Sequence, residues 1–458
     1  MDSAHLKRES DQAGNLPKKL KQDTDQTHDL TARLERALSS REKKYINALL
    51  SIPCCGRCAL RFLGIRDFGV YELAPCEIRN VLLRHCTDAA DTDTGSQIDT
   101  TGLDKRTDFD PKSFCTVCVG TVQFAEGFVE EIVARMRQEG FVTNSFNMNV
   151  TLPTSTLIRN HAVGIYLHQQ LGPIPMEQVD IKEVFKLLIS WPIEAQTGLK
   201  LDFSSVLRMQ VVVKHDETKD GHIFLSTMKE SGMVIKTKRE SRKMITVGDG
   251  RPHIVKALSS VSKERFTEVG NVPPTQTSTK PELDSIEMTR ESVYVGGRYL
   301  KFSRDVSQTP WSIGTTVLAE LSVSGIVCEP IKKAFRADDF KFVTAGREDA
   351  NVRMLGNGRP FYMELINPRI PELSVETIQQ VETEINAIMP EKVQIQKLTS
   401  ITCEDTKVIK EGEETKTKSY SALCWASNPV DSTMIDAVNQ FTDKSFIVEQ
   451  QTPIRVLQ

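Results

Sequence analysis

Asp349 sits in Gly346-Arg347-Glu348-Asp349-Ala350-Asn351-Val352-Arg353, entered from the apolar run Phe340-Lys341-Phe342-Val343, so an acid is presented among arginines on a turn just after a strand. Charge pairing with arginine keeps a carboxylate ionised, and an ionised carboxylate is available near neutral pH as a nucleophile or a base. All 8 histidines precede residue 254, so the half of the chain that holds Asp349 lacks the usual neutral-pH acid, base and metal ligand. Any chemistry in that half must run on a carboxylate. The residue types alone leave a second reading open, a structural ion pair, which is the commoner use of an arginine beside an acid.

A second constellation lies far upstream. Cys55-Gly56-Arg57-Cys58 and Cys115-Thr116-Val117-Cys118 each carry the spacing that lets two thiolates on a tight turn reach one tetrahedral zinc. Two such knuckles supply four ligands, and the 56 residues between them add little closure cost, because that cost grows slowly with loop length. Four cysteines close the coordination sphere, so Cys55, Cys58, Cys115 and Cys118 predict a structural zinc; unrelated buried thiols are the alternative. Cys54, Cys76, Cys86, Cys328, Cys403 and Cys424 lack such spacing and are expected to be core residues.

The elements that position these groups must come from a chain of 458 residues, 39% hydrophobic, long enough for two or three domains. Its net charge of -3 excludes a uniformly basic nucleic-acid binder, so any polyanion site must be local. Two local patches exist, Lys236, Lys238, Arg239, Arg242 and Lys243, and then Arg298, Lys301 and Arg304; a solvated face is the plainer reading of each. The segment Met1 to Arg8 has no signal-peptide core and no run of about 18 apolar residues occurs anywhere, which predicts a soluble intracellular protein with no membrane partner. Cysteines there stay reduced, and the sequon Asn149-Val150-Thr151 carries no meaning.

Residues 1–49 read as a disordered arm that ends in a helix around Leu30 to Leu50. Residues 50–269 read as a mixed α/β domain interrupted by a long Asp/Thr/Gly-rich loop between Cys86 and Lys112. Within it, Phe124, Phe128, Ile132 and Met136 recur at helical spacing up to Gly140, and Phe146, Met148 and Val150 alternate as a strand. A helix through Val184, Leu187 and Leu188 is expected to break at Pro192, and Met209 to Lys214 reads as a buried strand. Residues 270–287 are Pro/Thr/Ser-rich and predict a linker, leaving 288–458 as a second domain. That domain shows a strand into Asp349, a strand with Phe361, Met363 and Leu365 on one face, and a helix capped by Ser374 with Ile378, Val381, Ile385 and Ile388 inward. Strands at Val393 and Ile395, and at Tyr420, Ala422 and Cys424 after the charged turn Glu411-Gly412-Glu413-Glu414, complete an α+β pattern with one sheet face covered.

Gly346-Arg347-Glu348-Asp349, followed by Val352 to Phe361 and Glu364-Leu365-Ile366-Asn367-Pro368-Arg369, resembles the active-site region of the archaeal and eukaryotic transfer-RNA pseudouridine synthases of the TΨC arm. Gly297 to Arg304 with Gln308-Thr309-Pro310-Trp311, Lys418 to Trp425 and Gln451 to Leu457 are similar to further parts of that family's catalytic domain. The paired cysteine knuckles are similar to its N-terminal accessory domain, which is THUMP-like and binds RNA. The resemblance implies an isomerase that converts uridine to pseudouridine in the TΨC loop of tRNA without a catalytic cofactor, with Asp349 acting at the target ribose. It also implies Tyr420 stacked on the uracil, and Arg347, Arg298, Arg304, Trp311 and Arg455 on the RNA, with Lys301 a further contact. A monomer in nucleus and cytoplasm, with the mitochondrion as a third compartment, completes the expectation.

The chain departs from the family pattern twice. Ser312 to Leu318 is apolar where the family carries a charged segment that enters the RNA. The chain also stops at Gln458, where the family continues with basic residues and another strand, so the catalytic domain is expected to be C-terminally incomplete, with an unpaired edge beside Asp349. A non-catalytic tRNA-binding or scaffold protein is therefore the alternative expectation. An RNA thiolation or methylation enzyme with a similar accessory domain is disfavoured, because no glycine-rich phosphate loop follows a strand.

Overall fold

The computed structural model describes residues 29–87, 113–240, 243–313, 316–415, 423–445, 447 and 449. Its architecture is α+β, with two units built on two separate four-stranded sheets. The first sheet orders β2 (Lys200–Leu201), β1 (Ser145–Thr151), β3 (Leu207–Lys214) and β4 (Glu282–Arg290). β1 runs parallel to β2 and β3, and β4 closes the sheet antiparallel to β3, with Met209 opposite Met288. Period-two alternation buries Phe146, Met148 and Val150 of β1 against Leu207, Met209, Val211 and Val213 of β3. β3, expected to be buried throughout, is thus buried on one face.

Two expectations for this unit need correction. The helix Ile181–Thr197 continues through Pro192, because Leu188, Ile189 and Ile193 on either side are buried and their packing outweighs the one backbone bond that proline deletes. β4 begins inside the stretch read as a linker. Met288 is buried and Leu283 and Ile286 pack on the core, so residues from Glu282 onward belong to the first sheet despite their turn-rich surroundings. Upstream, residues 29–38 and Lys43–Leu50 are helical, and Leu34 and Leu38 are fully buried, so this part of the N-terminal arm is core.

The second sheet is antiparallel throughout, in the order β6 (Asp339–Thr344), β7 (Met354–Ile366), β5 (Val293–Lys301) and β8 (Val393–Ile401). The helices Val323–Phe335 and Val375–Ile388 cover one face, and Val295, Phe361, Met363, Leu365 and Ile395 fill the layer beneath them. Ser374 caps the second helix by accepting from Thr377 N. The charged segment read as a turn at Glu411–Glu414 is instead the end of a helix, Cys403–Thr415. Tyr420 and Ala422 lie outside the described residues, and Cys424 is exposed and not in a strand. Among the described residues no helix is long and apolar enough to cross a membrane.

An arginine clamp joins the units. Arg290 Nη2 donates to Val142 O at 2.6 Å and its Nη1 to Arg369 O at 2.9 Å, while Arg369 Nη2 meets Glu139 Oε2 at 2.6 Å. Both guanidinium groups lie over the Phe141 ring, 5.4 Å and 4.7 Å from its centre. Asn367 Nδ2 donates to Asp338 Oδ2 at 2.6 Å. The segment Asn367-Pro368-Arg369, expected beside the active site, therefore sits at the junction, at the opposite end of β7 from the Asp349 turn.

Candidate active site and metal centre

β6 ends at Thr344, and the chain must reverse before β7 begins at Met354. Gly346 turns it with a φ of 87°, and a Cβ there would stand 2.7 Å from Arg359 Nη1. Glu348 points inward and is 7% exposed, whereas Arg347 and Asp349 on either side are exposed. Alternation along an extended turn thus sends one acid into the protein and its neighbour out.

The buried carboxylate is fully engaged. Tyr299 Oη, on β5, donates toward Glu348 Oε1 and Oε2 at 2.7 and 2.8 Å. Gln308 Nε2 donates to Tyr299 Oη at 2.8 Å and to Gly346 O at 3.1 Å. Arg359 Nε lies 2.7 Å from Glu348 Oε2, an ion pair whose N–H is not aligned as a hydrogen bond, and Arg359 Nη1 donates to Ala345 O at 2.6 Å. Burial, and then the charge of Glu348, push the Tyr299 phenol far up, so it stays a donor.

Lys301, two residues after Tyr299 on the same face of β5, is 0% exposed. Its Nζ donates to Val306 O at 2.8 Å, Asp349 O at 3.0 Å and Ala350 O at 2.8 Å, so the ammonium uses all three protons on backbone oxygens. Burial lowers its pKa, against the opposing pull of Glu348, Asp349 and Asp305. The expected RNA contact is thereby corrected: Lys301 holds the Asp349 turn from beneath.

The remaining expected site residues scatter. Arg298 points to the other face of β5, where Nε donates to Asn357 O at 2.5 Å and Nη2 to Gly358 O at 2.9 Å, bracing the irregularity in β7. Arg304 is exposed, and half-buried Trp311 opens a hairpin of Trp311–Ile313 with Thr316–Ala319. Tyr420 and Arg455 lie outside the described residues. Lys236, Lys238 and Lys243 belong to a two-stranded hairpin. Sequence reasoning missed Glu348, Tyr299, Gln308 and Arg359 as the support of the turn, although the shared parity of Tyr299 and Lys301 along β5 was a usable signal.

The four knuckle cysteines do converge. Cys55 and Cys58 start the Gly56–Phe62 helix, Cys115 and Cys118 occupy a turn that ends with Val119 and Gly120 at positive φ, and all four sulfurs lie within 4.8 Å of one another, fully buried. Cys55 Sγ and Cys118 Sγ are 4.0 Å apart, close to the roughly 3.8 Å edge of a tetrahedron with Zn–S bonds of about 2.3 Å. Cys55 N donates to Cys115 Sγ at 3.3 Å, and Arg61 Nη1 approaches Cys58 Sγ at 3.7 Å. Arg79 and Arg159 also feel the charge of this group, and burial lowers the pKa of both. A cluster of thiolates ringed by guanidinium groups fits a cation bound as an anionic complex, so the residues present can hold a metal ion. Cys54 and Cys328 are buried as expected; Cys76, Cys403 and Cys424 are exposed and correct the expectation of core positions.

Residues 294–458 match the family model described as Pus10, C-terminal, and residues 115–288 match that of eukaryotic Pus10, N-terminal. The chain is 30% identical over 453 residues to the tRNA pseudouridine synthase Pus10 of Mus musculus, covering 92% of this chain and 84% of that protein. It is 29% identical over 455 residues to the protein of the same name from Homo sapiens, with the same coverage of 92% and 84%. The Methanopyrus kandleri relative, also named tRNA pseudouridine synthase Pus10, is 35% identical over 192 residues, which is 39% of this chain and 43% of the relative. Two family models that divide the chain between its two units, together with a relative aligned along most of its length, establish that this chain belongs to the Pus10 family.

Proposed function

We propose that this protein is a tRNA pseudouridine synthase that isomerises a uridine of the TΨC loop, with Asp349 as the carboxylate acting at the ribose of the extruded nucleotide. The observation that carries this reading is an exposed Asp349 on a turn fixed from beneath by Lys301 and by the buried Glu348 network. An acid held on a rigid support keeps its geometry when substrate arrives, which is where positioning contributes to rate. The uracil is detached, turned and rejoined through carbon, so atoms are conserved and one carboxylate suffices.

Tyr420 is the proposed stacking face for the uracil, worth roughly 1–3 kcal/mol by analogy with other base–aromatic stacks. Exposed Arg347 and Arg304, with Trp311 and Arg455, are proposed contacts to the RNA. Arg298 is withdrawn from that set because its Nε and Nη2 are engaged with the backbone oxygens of Asn357 and Gly358. Zinc is the proposed metal of the four-cysteine group, a brace for the accessory unit, since four thiolates leave it no open position. A monomer acting in nucleus and cytoplasm, with the mitochondrion as a third compartment, is proposed and is checked by sedimentation and by imaging of a tagged chain.

The direct test is tritium release from tRNA carrying uridine labelled at carbon 5. Wild type is expected to release label in the TΨC loop, and Asp349→Asn to release none while retaining its melting temperature. Equal release from both would remove Asp349 from the reaction.

A further inference from the structure

A cavity of about 360 Å³ opens in the first unit, remote from the Asp349 turn. One wall is the start of the Ser155–Leu171 helix, another is the turn at Glu217 and Thr218 with Phe224, and the third is the end of the Lys263–Val269 helix with Asn271. Its size suits one small planar group, because ligand sites begin at about 300 Å³.

The groups that face it are only partly used by the protein. Arg159 Nη1 donates to Thr116 O at 2.9 Å and Thr275 O at 2.7 Å, whereas its Nε and Nη2 have no partner among the described residues. Ser155 is 3% exposed, and its Oγ accepts from Thr218 Oγ1 at 2.7 Å, which leaves its own proton to give. Across the cavity, Glu217 Oε2 takes bonds from Ser278 and Thr279, while Oε1 accepts only a longer contact of 3.1 Å from Ser278 N. Arg159 and Glu217 sense each other electrostatically yet form no ion pair, so a gap separates a double donor from an acceptor. Half-buried Phe224, backed edge-on by Phe266 at 5.6 Å between ring centres, supplies an aromatic wall.

We infer that this cavity is a binding site for a cytosine or guanine base, which would stack on Phe224, present its carbonyl to Arg159 and Ser155, and give its exocyclic amine to Glu217. Both bases place a carbonyl acceptor and an amine donor on one edge; uracil lacks the amine and adenine lacks the carbonyl. A phosphate or carboxylate ligand is disfavoured by Glu217, whose hydrogen bonds keep it ionised. The proposed tRNA substrate would supply such a base from an unpaired stretch, and only that source rests on the enzymatic reading above; the base chemistry does not.

The test uses the full chain and fluorescent six-nucleotide RNAs of uridine carrying one central cytidine, guanosine, adenosine or uridine. Fluorescence anisotropy is expected to show the cytidine and guanosine forms bound about tenfold more tightly than the others, a margin set by the hydrogen bonds to Arg159, Ser155 and Glu217, and to show both forms bound about tenfold more weakly in Phe224→Ala, the scale of one stacked base. A 5-iodocytidine at the centre is expected to crosslink to Phe224 in the unaltered chain, which keeps the test independent of any variant's folding. Competition by cytidine monophosphate assigns the source: displacement of the RNA at equal concentration marks a free nucleotide as occupant, and failure to displace marks the RNA strand, each in support of base recognition. Equal affinity for all four RNAs, or a crosslink that maps away from this cavity, overturns the inference. None of these readouts needs turnover, so loss of base selectivity with intact tritium release removes this site alone.

Discussion

Glu348 and Asp349 are adjacent acids with opposite environments, and the difference is one of side-chain direction. Glu348 is buried among Tyr299, Gln308 and Arg359, whereas Asp349 is exposed and its backbone carbonyl is gripped from below by Lys301. Removing a buried partner leaves the other charge uncompensated, so Glu348→Ala is expected to cost about 3 kcal/mol. Urea unfolding reads that loss, and tritium release is expected to fall with it because the turn bearing Asp349 loses its support. Asp349→Asn is expected to do the reverse, leaving the urea midpoint unchanged while abolishing turnover. A Glu348→Ala protein as stable as wild type would show that the network does not hold the turn.

At the level of elements, the two knuckles bring four buried sulfurs together inside the first core, a grouping that a shared metal ion would stabilise. Stripping metal with a chelator at neutral pH is expected to release one zinc per chain and to lower stability by several kcal/mol, the scale of structural zinc sites. Atomic emission and thermal melting check this, and Cys58→Ser is expected to copy the stripped state. The segment before β4 is fastened differently, by Glu217. Burial pushes its carboxyl up, but hydrogen bonds from Thr279 and Ser278 outweigh this and bring it down to about 2 from 4.5. A depressed folded-state pKa gives stability that is present above the unfolded value and lost as pH falls through the folded one. The stability gap between wild type and Glu217→Gln is therefore expected to be full above about pH 5 and to close between 4.5 and about 2. A gap that stays constant over that window would show that Glu217 is not what fastens residues 278 and 279.

At the scale of the molecule, the two sheets are tied by Arg290, Arg369 and Phe141, and their hydrophobic cores are separate clusters. A junction held by charge and hydrogen bonds transmits cooperativity only while those bonds exist. Arg369→Ala removes the link to Glu139 and Asp338 together. Calorimetry is expected to resolve its unfolding into two transitions where wild type gives one. A single unchanged transition in the variant would mean that the units are coupled elsewhere.

What the sequence determined by itself was periodic or sharply spaced. Alternation at Phe146, Met148 and Val150 and at Phe361, Met363 and Leu365 disclosed strands, and the doubled cysteine spacing disclosed a four-sulfur group, because these signals are local and repeat within a few residues. The α+β class was legible for the same reason, and the family through the resemblance carried by the Asp349 block. Tertiary structure alone decided which acid of the pair is buried, since Tyr299, Gln308 and Arg359 reach Glu348 from three separate segments. It likewise decided that Lys301 supports a turn, that Asn367-Pro368-Arg369 joins two units, and that residues from Glu282 belong to a strand. In each case the partner is distant in sequence, and burial among distant partners leaves no local pattern to read.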